Sequence, residues 1–239
     1  MTSLKQLFGV TGGVTRLPSP WRQNLVLAGL AGLVSVVIWD RLPPEVATHW
    51  NFRGEPDGYS SRLTAALFGP LAIIGLTVIM QVLPFIDPKR ENYAKFRDVF
   101  NLLINVVALF ILVLHIAILA NAAGAPVNVM KVIGTSAGVL MILLGNYLGR
   151  VKPNWFVGIR TPWTLSSPEV WRKTHRVGGW LFVLAGLVTA VATWLPGMHG
   201  MYAALVAVMV AAAGSALLSL VLWMQEQKEQ GSKGGREKA

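Results

Sequence analysis

VFNLLINVVALFILVLHIAILA, residues 99–120, runs for 22 positions without one charged side chain. As a helix it would span roughly 33 Å, enough to cross the ~30 Å hydrocarbon core of a bilayer. Backbone polar groups in hydrocarbon must pair within their own segment, so a run of this length is a helix rather than an open strand. On either side, further apolar runs fall at 23–39, 64–84, 129–148, 177–195 and 202–223, and only the first is short. The pattern predicts an all-α integral membrane helical bundle of about six transmembrane helices. One membrane domain covers 23–223, preceded by a polar segment, 1–22. The tail at 224–239, rich in Gly and Lys, is expected to be disordered.

Composition agrees. The chain is 54% hydrophobic and 13% charged, roughly half the charged fraction of a soluble domain. A net charge of +10 would suggest nucleic acid in a soluble protein. Here the basic residues lie between apolar runs and read as topology signals, so no direct nucleic-acid binding is expected. With no cysteine, disulfide, thiolate-metal and cysteine-nucleophile chemistry are excluded. Lys5 and Arg16 precede the first run, but Gly12, Gly13, Pro18 and Pro20 interrupt it and no small-residue cleavage site follows Ile38. The first helix is therefore read as uncleaved.

Seventeen Lys and Arg fall in 1–22, in the loops 85–98 and 149–176, and in the tail; Arg41, Arg53, Arg62 and Lys131 make up the other side. The positive-inside rule then places both termini and the two basic loops in the cytoplasm and the loop 40–63 outside.

Two helices carry readable faces. Gly134, Gly138, Gly145 and Gly149 form two GxxxG spacings within about a 60° arc, a surface for close helix packing inside the chain or, alternatively, for a homodimer. The Ala211, Ser215 and Ser219 stripe is a candidate partner for it. Asn101, Asn105 and His115 share one face of the third helix, suited to interhelical hydrogen bonds or to a polar path or ligand pocket.

The outer loop reads LPPEVATHWNFRGEPDGY, residues 42–59. Pro43 and Pro44 stiffen it, and Gly54 and Asp57-Gly58 supply turn chemistry, so it is expected to hold a shape. Its Trp50, Phe52 and Tyr59 suit either the membrane interface or an extracellular ligand. Glu45, His49 and Asp57 match no metal-binding spacing, and Ser60 and Ser61 have no base beside them. No metal, cofactor or catalytic residue is assigned.

The inner segment GIRTPWTLSSPEVWRKTHRVG, residues 158–178, carries a helix start. Ser166 or Ser167 is the cap, Pro168 stands in the first turn, and Glu169 is placed for a capping box. Trp171 with His175, and Arg172 with Arg176, are expected to form adjacent aromatic and basic surfaces. Arg150, Lys152, Arg160, Arg172, Lys173 and Arg176 make a cationic cluster for anionic lipids or a protein partner, with Trp163 beside it.

On these two segments the chain resembles the SdpI family of bacterial immunity proteins, together with the domain of unknown function at that family's N-terminal side. The resemblance covers about 23–223. It implies a multi-pass bacterial plasma-membrane protein that protects against an SdpC-type, membrane-active peptide toxin. It further implies a role in signal transduction, through sequestration of a cytoplasmic repressor protein. The matching motif residues are His49, Asn51, Gly54, Asp57, Arg160, Thr161, Pro162, Trp163, Trp171, His175 and Arg176. The leading expectation is a non-enzymatic immunity protein whose ligand-contacting residues are His49, Trp50, Asn51, Phe52, Gly54, Asp57 and Tyr59, with Asn101, Asn105 and His115. The alternative is a small peptide or lipid transporter or exporter using the Asn101, Asn105 and His115 face. An enzyme is not expected, because Glu45, His49 and Asp57 fall on the opposite membrane side from His175.

Overall fold

The computed structural model describes residues 20–236, so most of the N-terminal segment, 1–19, lies outside the described residues. The fold is all-α apart from one hairpin, and the chain divides into two compact units.

The first unit takes in the described residues up to Gln81 together with Phe100–Val129. It contains α1 (Pro20–Val37), a 3-10 turn (Trp39–Arg41), strands β1 (Glu45–Trp50) and β2 (Pro56–Ser61), most of α2 (Arg62–Ile86), and α3 (Arg97–Ala122) from Phe100 onward. α1 buries Asn24, Ala28, Ala31 and Ser35, a three-to-four-residue period that defines one inward stripe. Ala28 and Ala31 meet Ile73 of α2 and Ala108 and Leu112 of α3 in an apolar layer. Outward, α1 exposes Leu25, Val26, Leu30, Leu33, Val36 and Val37, a surface suited to lipid rather than water.

The second unit takes in Val82–Val99 and Met130 onward. After a 3-10 segment (Arg90–Lys95) come α4 (Val129–Leu148), the short α5 (Pro162–Ser166), α6 (Pro168–Ala192) and α7 (His199–Arg236). A Cβ on Gly138 would stand 2.5 Å from the Gly186 carbonyl oxygen and 2.6 Å from the Ala190 nitrogen; one on Gly145 would stand 2.6 Å from the Gly179 carbonyl oxygen. At Gly134 it would collide with Thr193. The glycine face therefore packs backbone to backbone on α6 of the same chain. Its partner is α6, not the Ala211, Ser215 and Ser219 stripe. That stripe is buried on α7, where Ser215 lies against Gly178 and Ser219 hydrogen-bonds Thr161.

Among the described residues, five helices, α2, α3, α4, α6 and α7, are long and apolar enough to cross a membrane. α1, the short first run of the expected six, has 18 residues with Arg22, Gln23 and Asn24 near its start, and over that length is less apolar than these five. The stretch from 224, expected as a disordered tail, instead continues α7 as helix to Arg236. Gln, Glu and Lys at 225–230 are good helix formers, and extending a helix already nucleated in the span costs little.

Candidate functional site

In the first unit the outer loop is a two-stranded antiparallel hairpin, pairing Glu45 with Ser61 and Ala47 with Tyr59, with register shifts around His49. Its base is apolar: Leu42 and Val46 are buried with Ala65 of α2 and Leu119 of α3. Arg62 lies over the Trp39 ring, 5.5 Å from its centroid. Its tip is organised by Asn51, whose Oδ1 accepts from the backbone N–H of Arg53 (2.8 Å) and Glu55 (3.1 Å) while its Nδ2 donates to Glu55 Oε2 (3.0 Å). Gly54 closes the turn at φ 79°, a left-handed value that glycine adopts without strain. Asn51 and Gly54 are thus builders of the tip.

What the hairpin presents is different. Phe52 is 71% and Tyr59 60% exposed, and Trp50 is half-buried. His49 Nδ1 meets Asp57 Oδ1 at 2.5 Å with both side chains open to solvent. An exposed pair of this kind adds little stability, so it shapes a surface. Glu45 makes no third member, and among the described residues no group of three or more His, Cys, Asp or Glu is assembled. A hairpin of two strands is marginal by itself; the buried Leu42 and Val46 hold this one in place.

Asn105 and His115 are engaged in packing. Asn105 Nδ2 donates to Gln23 Oε1. His115 Nε2 lies 2.9 Å from Ser35 Oγ and 3.2 Å from the Ala31 carbonyl oxygen, with Gly69 leaving room for the ring. Asn24 donates to Thr77 at 2.8 Å. The apolar layer of Ala28, Ala31, Ile73, Ala108 and Leu112 stands between the Asn105 and His115 levels. This geometry fits interhelical hydrogen bonding. Asn101, half-buried, lies a turn before Asn105 on α3.

In the second unit the two basic loops interlock. Asp87 Oδ1 accepts from the Lys89 N–H (2.7 Å), and its Oδ2 from the Trp155 N–H (2.9 Å) and the Tyr93 hydroxyl (2.9 Å). Asn92 donates to the Pro153 carbonyl (2.8 Å) and Lys89 to that of Leu165 (3.0 Å). Asn154, fully buried, accepts from the N–H groups of Phe156 and Val157 and donates to the carbonyls of Lys152 and Val157. Burial, then the hydrogen bond and charge of Asp87, push the Tyr93 hydroxyl's pKa up, against a weaker opposing pull from Arg160. The hydroxyl remains a donor at ordinary pH.

Within 158–178 the aromatic pair is internal rather than on the surface. Trp171 and His175 stack at 4.0 Å and are both buried. Trp171 Nε1 donates to the Val151 carbonyl (2.9 Å). His175 Nε2 accepts from the Ile159 N–H (2.9 Å), so its proton sits on Nδ1, which donates to the Trp171 carbonyl (2.9 Å). Gly158, at φ 113°, leaves space for the His175 ring. The capping box belongs to Thr161 and Thr164 on α5. Ser167 caps α6, its Oγ accepting from the Val170 N–H, while Glu169 pairs with Arg172 at 2.6 Å. Ser167 also donates to Glu226 of α7 at 3.0 Å. Trp163 is half-buried, whereas Arg150, Lys152, Arg160, Arg172, Lys173 and Arg176 are exposed.

Two family models match. The SdpI/YfhL protein family covers residues 150–223, and a domain of unknown function, DUF1648, covers 26–74. The chain is 26% identical over 198 residues to a protein of Bacillus subtilis strain 168 named Immunity protein SdpI, covering 82% of this chain and 92% of that one. No solved structure matches. The hairpin falls inside the stretch matched by the domain of unknown function, and the α5 and α6 clasp with most of the span of α7 falls inside the stretch matched by the SdpI/YfhL family; the chain is a multi-pass membrane protein similar over most of its length to an SdpI immunity protein.

Proposed function

We propose that this chain is an immunity protein of the bacterial plasma membrane that gives resistance to a membrane-active peptide toxin, and that the hairpin is the surface that meets the toxin. The observation that carries the reading is the hairpin itself. Its buried base fixes it to α2 and α3 while Phe52, Tyr59 and the His49 and Asp57 pair are turned to solvent. Large exposed aromatics on a rigid support are what a peptide-binding surface requires. The name of the Bacillus subtilis relative supports the same assignment.

The distribution of Lys and Arg supports an orientation with both termini and the interlocked loops in the cytoplasm. There the loop platform is the surface available to a cytoplasmic repressor in the signalling role that the resemblance implies.

The test is the killing curve of an SdpC-type toxin on a sensitive bacterium expressing the protein, with membrane abundance measured. Phe52→Ala with Asp57→Asn is expected to abolish most of the protection at unchanged abundance. Full protection by that variant removes the hairpin from the reading; no protection by the parent chain removes immunity itself.

A further inference from the structure

α6 has two faces with different chemistry. Val170, Trp171, Thr174, His175, Gly178, Gly179, Ala185, Gly186 and Thr189 are buried. Lys173, Arg176, Val177, Trp180, Leu184, Val188 and Val191 form an exposed stripe at three-to-four-residue spacing. The stripe is cationic at its start and apolar after that. Trp180 is 69% and Val191 69% exposed. From Val177 to Val191 the apolar part extends roughly 21 Å, more than the ~15 Å of one hydrocarbon leaflet.

The charges at the head of the stripe are only partly answered. Glu169 serves both Arg172 (2.6 Å) and Lys173 (3.4 Å). Among the described residues Arg176 makes no ion pair, and neither do Arg150, Lys152 and Arg160 of the adjoining loop. Lysine and arginine at this level can lay their stems along apolar surface and hold their heads among lipid phosphates. Trp180, one turn further, is of the type that favours the interface.

We propose that this stripe is a binding site for an anionic phospholipid, whose headgroup lies between Lys173 and Arg176 and whose acyl chain follows Trp180, Leu184 and Val188. The assignment rests on charge complementarity joined to an apolar track of leaflet length, and it holds whether or not the hairpin meets a toxin. An acidic protein partner would use the same cations but has no need of the track.

The experiment reconstitutes the full chain in phosphatidylcholine vesicles and replaces part of the lipid with brominated phosphatidylglycerol or, separately, with brominated phosphatidylcholine. The Trp180 signal is read as the difference between the parent and Trp180→Phe. Severalfold stronger quenching by the anionic lipid is expected, reduced by salt and lost in Lys173→Gln with Arg176→Gln. Both charges are exposed, so that variant should melt with the parent. Equal quenching by the two lipids, or a preference that survives the double substitution, overturns the site; the first of these outcomes would leave the cations to a protein partner.

Discussion

Gly158 has φ 113° and the His175 ring where a Cβ would stand. Alanine there has to be strained and has to push the ring from the Ile159 N–H, so Gly158→Ala should lose about 1–3 kcal/mol of stability. Thermal unfolding in detergent measures it, and a variant melting with the parent would show that the ring is not held as described. The roles of Trp171 and His175 were not legible from spacing. Positions i and i+4 share a helix face, but nothing local says whether that face meets solvent or another segment, and the partners, Val151 and Ile159, belong to a loop with no periodicity. Asp87, Tyr93 and Asn154 escaped notice for the same reason: each is an ordinary polar loop residue until the second loop is folded against it. Gly54 was readable as a turn residue, because turn chemistry is local, whereas the part Asn51 takes depends on Glu55 folding back onto it.

At the level of elements, the glycines of α4 announced a close contact correctly, since Gly at four-residue spacing has few other uses in hydrocarbon. They did not name the partner. Both α6 and α7 carry small-residue stripes, and only the fold shows that Gly179, Gly186 and Ala190 take the contact while Ser215 lies against Gly178 and Ser219 holds Thr161 of the loop. Gly138→Val places new atoms against the Gly186 carbonyl and should cost roughly 1–3 kcal/mol through overpacking. The same change at the open Gly75, which has nothing within 4 Å of an added Cβ, serves as control. Equal melting of the two variants would contradict the contact. α7 outruns its apolar stretch, because loss of hydropathy at 224 marks where a membrane ends, not where a helix does.

For the whole molecule, the all-α membrane character was legible because hydrocarbon permits so few backbone solutions. The hairpin was not, as its strands are polar, short and outside the apolar runs. Orientation is open to direct measurement, since the chain has no cysteine and one introduced thiol is a unique label. Arg53→Cys should react with an impermeant maleimide on intact cells, and Lys152→Cys only after permeabilisation; the reverse pattern would invert the topology. The α4 and α6 contact also bears on how the second unit can move. Side chains let helices slide by exchanging rotamers, and a seam of bare backbone has none to exchange. These two helices should therefore travel as a single strut. Movement of α7 against this strut would have to part the Ser167 and Glu226 bond and the Thr161 and Ser219 bond.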